Sequence, residues 1–377
     1  MLASPFTFPL YVMLKPAGAT CNLHCSYCYY MEKKYLYRRQ TDLMMSETTL
    51  ERFIRQYFLA QTQRDILFTW HGGEPLLRGL SFYKKALSLQ KQYARGFHVE
   101  NSLQTNGVLL NDEWCTFFKE NNFLIGISID GPEHCHNHYR LYHDGRPTFH
   151  KALDAINLLK KHGIKFNIMA TVNNYNADYP LAFYRFFKSI DCRYIQFSPV
   201  VETVNSELAA WNVSAAQWGK FLITLFDEWI KQDVGTYFIQ YFDATLANWI
   251  GVKPGICTLG RTCGHAGVAE FNGDIYSCDH FVHNEYKLGN IYTQTLVEIM
   301  YSERQLKFGI DKYDTLPAQC KQCQYLFACY GECPKNRIIK TKDGEDGLNY
   351  LCEGYYNFFE HVAPYMDFMA GELINDN

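Results

Sequence analysis

The sequence predicts an α/β fold: a parallel, partial (β/α)6 TIM-like barrel followed by a smaller, cysteine-rich C-terminal domain. Three observations predict it. Six β-rich apolar runs alternate with amphipathic helical stretches between residue 11 and about 200. The chemically distinctive residues fall just after those runs. Eight of the fourteen cysteines lie between residues 257 and 352. The division is placed at residues 1–234 and 235–377, since 377 residues exceed one ordinary domain.

Taken in order, the strand candidates are "YVMLK" (11–15), "ILFTWH" (66–71), "HVENSLQT" (98–105), "LIGISID" (124–130), "KFNIMATV" (165–172) and "YIQFSPV" (194–200). Helical segments between them cover 46–60, 81–93, 111–121, 148–162 and 178–188. In the first, Ser46 can cap, and Leu50, Phe53, Ile54, Tyr57 and Phe58 form an apolar stripe. Repeated βα units imply a parallel sheet with right-handed crossovers, and six are too few to close an eight-stranded barrel. Parallel barrels place their chemistry at the C-terminal strand ends. Here those ends carry the cysteine run "CNLHCSYC", then "HGGEP", "QTNG" and "SIDGP". Beyond about residue 235 the rhythm fades, and a domain organised by metal sites more than by apolar burial is expected.

Composition narrows the function. A formal net charge of −3 without a Lys/Arg block argues against a nucleic-acid partner. No apolar run is long enough to span a bilayer. The N-terminus, broken by Pro5, Pro9 and Pro16, lacks the basic region of an export signal, so a cytoplasmic location and reduced thiols are expected.

Metal ligation then accounts for most cysteines. Cys21, Cys25 and Cys28 form a C-x3-C-x2-C run with no fourth cysteine before Cys115. Cys257, Cys263 and Cys278 form a second group, and Cys320, Cys323, Cys329 and Cys333, followed by Cys352, a third. With Cys115, Cys135 and Cys192 set aside as buried small hydrophobes, eleven remain, enough for one set of three and two sets of four. The C-terminal eight alone allow either paired structural zinc or iron–sulfur clusters. The open N-terminal set favours iron, because a cluster with one bare iron is a coordination site.

The run "CNLHCSYC", with Tyr27 before its last cysteine, matches the signature of radical S-adenosylmethionine enzymes. The resemblance implies that Cys21, Cys25 and Cys28 hold a [4Fe-4S] cluster whose fourth iron is chelated by S-adenosylmethionine. "HGGEP" resembles the family's glycine-rich strand end, which receives the methionine amino group. The spacing of the C-terminal cysteines, with Gly273 among them, resembles the seven-cysteine SPASM-type domain of peptide-modifying members, with Cys263 as an eighth ligand. Together with "CDHF" and "LQTNG", it looks like the anaerobic sulfatase-maturating enzymes over nearly the whole chain.

That resemblance implies oxidation of a Cys or Ser in a sulfatase C/S-x-P/A-x-R motif to Cα-formylglycine. Its implied cofactors are three [4Fe-4S] clusters and S-adenosylmethionine. Its implied partners are an unfolded or nascent sulfatase and a low-potential electron donor such as flavodoxin or ferredoxin. Carried over by position, Cys257, Cys263, Cys278 and Cys333 hold the first auxiliary cluster, and Cys320, Cys323, Cys329 and Cys352 the second. The S-adenosylmethionine contacts fall on Tyr27, Gly73, Ser128, Arg140 and Val201, where Arg140 can present its planar fork to a carboxylate. Asp279, directly after Cys278, takes the catalytic base role, since a side-chain hydroxyl or thiol must lose a proton; capping a turn is its structural alternative. Tyr30 and His71 are candidate substrate contacts.

Two other functions stay open on sequence. A thioether-forming maturase of ribosomal peptides shares both domains but often carries an added N-terminal peptide-binding domain, for which the early first strand leaves no room. A non-catalytic metal-stabilised module would need no open site. Iron analysis of anaerobically purified protein should give about twelve irons per chain for three cubanes; near-zero iron with bound zinc would contradict the cluster reading.

Overall fold

The computed structural model describes residues 10–38, 40, 42–205 and 207–375. Pro5 and Pro9 of the N-terminal reading lie outside them. Along the chain run β1 (Tyr11–Leu14), α1 (Glu47–Ala60), β2 (Asp65–Trp70), α2 (Leu80–Tyr93), β3 (His98–Thr105), α3 (Asp112–Glu120) and β4 (Leu124–Ser128). There follow α4 (Glu133–Tyr139), α5 (Phe149–Lys161), β5 (Phe166–Val172), α6 (Pro180–Ser189) and β6 (Tyr194–Pro199). Next come β7 (Thr203–Val204), β8 (Glu207–Leu208), α7 (Ala215–Trp229), β9 (Phe238–Ile239) and α8 (Gln240–Trp249). The last third holds β10 (Ala266–Ala269), β11 (Asp274–Tyr276), β12 (Lys287–Asn290), α9 (Leu296–Met300), α10 (Glu303–Asp314), α11 (Ala318–Lys321), α12 (Leu326–Cys329), β13 (Ile339–Lys340), β14 (Asp346–Leu348) and α13 (Cys352–Asn375). Local chemistry explains α1: the Ser46 side chain accepts the Thr49 N–H at 3.1 Å, and the Leu50, Phe53, Ile54, Tyr57 and Phe58 stripe is buried.

The chain forms two compact units, each assembled from separate stretches. The first comprises residues 1–128, 140–166 and 264–309. Its strands stand in the order β12-β11-β10-β1-β2-β3-β4. Pairing is parallel from β10 through β4 and antiparallel from β10 to β12. Leu14 pairs with both Ala269 and Trp70, and Trp70 pairs with Leu103, so the carboxyl ends of β10, β1 and β2 stop at one level. Lys15, His71 and Glu270 each follow directly on such an end. The cysteine-rich region therefore returns to the first sheet through β10, whose four residues "AGVA" are too short and small for a strand period to be read.

The second unit comprises residues 129–139, 167–263 and 310–377 and contains parallel β5, β6 and β9. This unit has an apolar core. Trp218 and Phe226 of α7, Phe242 of α8, and Tyr355 and Phe358 of α13 are all fully buried, with Phe242 stacked on Phe358 at 5.8 Å. Helix α13 is 24 residues long. It approaches α7 at a glycine pair: a Cβ on Gly354 would lie 2.2 Å from the Ala215 carbonyl oxygen. Gly354→Ala should therefore cost about 1–3 kcal/mol by overpacking and lower the thermal midpoint by about 2–4 °C per kcal/mol. An unchanged midpoint in a melting scan would contradict this helix contact.

Candidate active site

In the first unit a buried lysine stands at the end of β1. Lys15 is fully buried, and its backbone N–H donates to Ala269 O at 2.9 Å, continuing the β1–β10 ladder. Its Nζ lies 2.5 Å from Asp279 Oδ1, 3.2 Å from His71 Nδ1 and 4.4 Å from the centre of the Tyr30 ring. Asp279 Oδ1 is thus in ion-pair contact with Lys15 without good hydrogen-bond geometry. Its Oδ2 accepts from the Tyr29 hydroxyl. Asp279 opens a short 3-10 turn directly after the extended Cys278. Burial opposes its ionisation, but the neighbouring cation Lys15 foremost reverses this and holds the carboxyl well below the usual carboxylate range.

His71 Nδ1 accepts the Gly72 N–H at 2.8 Å and also faces Lys15, so its proton is assigned to Nε2. Burial, reinforced by Lys15, pushes its pKa down to about 3, which makes it neutral near pH 7. Glu270 is also buried and accepts from the Tyr30 hydroxyl. Burial pushes its pKa up to about 7, against the Tyr30 bond and the Lys15 charge. The predicted residues Asp279, Tyr30 and His71 thus meet around Lys15. Lys15, Tyr29 and Glu270 were not singled out by sequence; the one available hint was a lysine ending an apolar run.

The N-terminal cysteine loop is docked on both sides. Leu23 bridges Tyr142, His24 N donates to Leu141 O at 2.8 Å, and His143 contacts Cys21 O at 3.1 Å. The Asn106 amide donates to Asn22 Oδ1 at 2.8 Å and to Cys21 Sγ at 3.8 Å, and Leu23 N lies 3.4 Å from the same sulfur. Two N–H groups reach this sulfur, but burial foremost, then the Glu74 charge, pushes the Cys21 thiol up to about 12, so the thiolate that ligates a cluster is favoured here only by the metal it binds.

Gly73 is packed against the residues just before this loop. A Cβ there would lie 2.1 Å from Thr20 O, so only glycine fits; Gly73 N donates to Gly18 O and Glu74 N to Thr20 O, each at 2.8 Å. Glu74, fully buried, accepts from Leu76 N, Thr105 Oγ1 and Asn106 N at 2.8–3.0 Å. Burial pushes its pKa up to about 7, and those donors pull it back. It joins the ends of β2 and β3 and is a further structural residue the sequence reading did not assign.

Of the residues expected at S-adenosylmethionine, Arg140 places its guanidinium 5.6 Å from the Tyr27 ring centre, and Ser128 Oγ accepts from Gln104 at 3.0 Å. These two and Gly73 belong to the first unit, whereas Val201 belongs to the second, where its carbonyl accepts from Lys335 at 2.7 Å.

In the second unit Cys320, Cys323, Cys329 and Cys352 line one cavity of about 180 Å3, walled also by Tyr325, Tyr355 and Phe359. Among the described residues no group of three or more His, Cys, Asp or Glu is arranged around a single ion. Four thiols around an apolar cavity fit a cluster. Cys257, Cys263 and Cys333 lie in the second unit and Cys278 in the first, so their common cluster rests on the resemblance. Cys115, Cys135 and Cys192 are buried. Asp274 is structural: it bonds Asn272 and Asn290 and pairs with Lys287 at 2.6 Å. No helix among the described residues is long and apolar enough to cross a membrane.

Strand-end chemistry of this kind, an open cysteine loop and a second set of thiols define a radical S-adenosylmethionine enzyme with an auxiliary iron–sulfur domain. The Radical SAM superfamily model matches residues 16–187, and the iron–sulfur cluster-binding domain model matches residues 263–324. The chain belongs to the anaerobic sulfatase-maturating enzymes. It is 61% identical to a serine-type anaerobic sulfatase-maturating enzyme of Bacteroides thetaiotaomicron, over 99% of this chain and 94% of that protein. It is 33% identical to a cysteine-type enzyme of Clostridium novyi, over 97% and 98% of the two chains. Among solved structures, native anSMEcpe with bound AdoMet and Cp18Cys peptide matches with a TM-score of 0.87 at 31% identity, over 97% of this chain and 99% of that one. The fold is accordingly the partial radical-enzyme barrel with a SPASM-type domain, and the cofactors are [4Fe-4S] clusters and S-adenosylmethionine.

Proposed function

We propose that this chain is a serine-type maturase, oxidising a serine in the motif of an unfolded or nascent sulfatase to Cα-formylglycine. The observation that carries the serine preference is the contrast between 61% identity to the serine-type relative and 33% to the cysteine-type one. In this reading residues 1–234 generate the radical and residues 235–377 carry the auxiliary clusters. Cys21, Cys25 and Cys28 ligate the first cluster. Cys257, Cys263, Cys278 and Cys333 ligate one auxiliary cluster, and Cys320, Cys323, Cys329 and Cys352 the other. A low-potential donor such as flavodoxin or ferredoxin supplies electrons, and the reaction belongs in an anaerobic cytoplasm.

S-adenosylmethionine, held on a cluster at Cys21, Cys25 and Cys28, would supply the radical that takes one hydrogen atom from the seryl Cβ, and the cysteines of the auxiliary sets would hold the acceptor for the remaining electron. The chain's own residues do the rest. Arg140 would pair with the cofactor carboxylate, the Gly73 backbone would receive its amino group, and Tyr27, Ser128 and Val201 are the further residues assigned to hold it. Asp279 accepts the seryl hydroxyl proton, which with the hydrogen atom and the electron completes a two-electron oxidation to the aldehyde. Lys15 keeps Asp279 ionised in a buried setting, and the Tyr29 hydroxyl fixes one of its oxygens. His71 offers its Nε2–H to the peptide, and Tyr30, held by Glu270, flanks the same place.

Anaerobically reconstituted protein, S-adenosylmethionine, reductant and paired motif peptides carrying Ser or Cys test this reading. Conversion of the seryl peptide to an aldehyde two mass units lighter, the weight of the two hydrogens removed, is expected; conversion of the cysteinyl peptide alone would contradict the serine assignment. In the same assay Asp279→Asn should still cleave S-adenosylmethionine while peptide oxidation falls about 10²–10⁴-fold. Undiminished oxidation would remove Asp279 from the mechanism.

A further inference from the structure

Within the second unit two cations are anchored on main-chain carbonyls beside the auxiliary cysteines. Lys312, near the end of α10, is 1% exposed. Its Nζ donates to the carbonyls of Cys257 at 2.6 Å, Thr258 at 2.7 Å, and Gly260. All three ammonium protons are thereby used on the turn that leads from Cys257 towards Cys263. Arg337 donates to the Lys312 carbonyl at 2.6 Å and, on the other side, to Tyr330 O at 2.9 Å, Gly331 O at 3.1 Å and Glu332 O at 3.3 Å. It therefore clamps the turn between Cys329 and Cys333 to the same lysine.

No carboxylate is among these acceptors. Glu332, a buried acid beside them, has its side chain engaged by Cys333 N and Asn349. The two cations stand in a poorly solvated region, where charge is costly unless something offsets it. Lys312 is held on the carbonyl of Cys257 itself, and Arg337 on the carbonyls of the residues between Cys329 and Cys333. The turn that Arg337 holds thus joins a cysteine of each proposed ligand set.

We propose that Lys312 and Arg337 are positioning residues that form a cationic brace for the auxiliary clusters. They hold the Cys257–Cys263 and Cys329–Cys333 segments through backbone carbonyls, and their charge offsets the thiolates and raises the clusters' reduction potentials. A positive neighbour favours the more negative, reduced form, which eases uptake of the electron left by peptide oxidation. The inference rests on the proposed ligand sets.

The test compares wild type, Lys312→Met and Lys312→Arg as full chains reconstituted anaerobically, with iron content and the auxiliary-cluster midpoints read by potentiometric electron paramagnetic resonance. In Lys312→Met one auxiliary midpoint should move negative by about tenfold in the reduction equilibrium, about 59 mV for a one-electron couple. Lys312→Arg should keep the wild-type value. Loss of about four irons from Lys312→Met with Lys312→Arg fully loaded would equally support the brace. Wild-type midpoints and iron in Lys312→Met would overturn it, as would equal changes in both variants, which would show that charge is not the determinant. A wild-type protein without auxiliary clusters would instead overturn the ligand assignment itself, and the brace with it.

Discussion

The proposed chemistry depends on a lysine ammonium buried at a strand end. An isolated charge there would be prohibitively desolvated, so Lys15 has to be met by an anion and by polar or aromatic partners. Asp279 supplies the anion, while His71 Nδ1 and the Tyr30 face supply the rest. The dependence runs both ways. Without Lys15, burial would favour a protonated Asp279, which could not accept a proton. One ion pair thus fixes both the geometry and the protonation state of the proposed base.

Sheet order makes that pair possible. Because β10 lies parallel to β1, a segment some 250 residues further along the chain ends beside Lys15 and brings Glu270 with it. The chain then turns through β11 and reaches Cys278 and Asp279. The proposed cluster ligand Cys278 and the proposed proton acceptor Asp279 are consecutive residues on a turn reached from the barrel's own sheet. That placement couples the two requirements of the oxidation, an exit for an electron and an exit for a proton, within one short stretch. On the other flank of β1, Gly73 and Glu74 tie the end of β2 to the residues just before Cys21. The N-terminal cysteine loop and the proposed proton-accepting site are thus organised from neighbouring strand ends.

Much of this was legible in the sequence, for identifiable reasons. The six barrel strands have strong β-branched and aromatic signals, and their observed limits lie within two residues of those read from the pattern. Cysteine spacing at 21–28 pointed to the radical S-adenosylmethionine family, whose model matches residues 16–187, because thiolate ligation demands particular residues at particular separations. Lys15 was not legible as a functional residue, since nothing local distinguishes a lysine closing a strand in solvent from one buried against Asp279. Tyr29 and Glu270 were missed because their partners are set by the long return of β10. Helix α13 is a different case. Tyr355, Phe358, Phe359, Val362, Met366 and Ala370 recur at helical spacing and are buried, so the signal was present; Pro364 interrupts it and the cysteine pattern drew attention to metal.

The most direct test of the central claim is to replace Lys15 by Met in the reconstituted enzyme and to measure 5′-deoxyadenosine and aldehyde formation in the same reaction. The account predicts that 5′-deoxyadenosine still forms while aldehyde per cleavage event falls at least about tenfold, with Lys15→Arg recovering part of the loss, as expected when a general base loses its ionised form. Aldehyde formation in Lys15→Met still matched to 5′-deoxyadenosine as in the parent enzyme would contradict it.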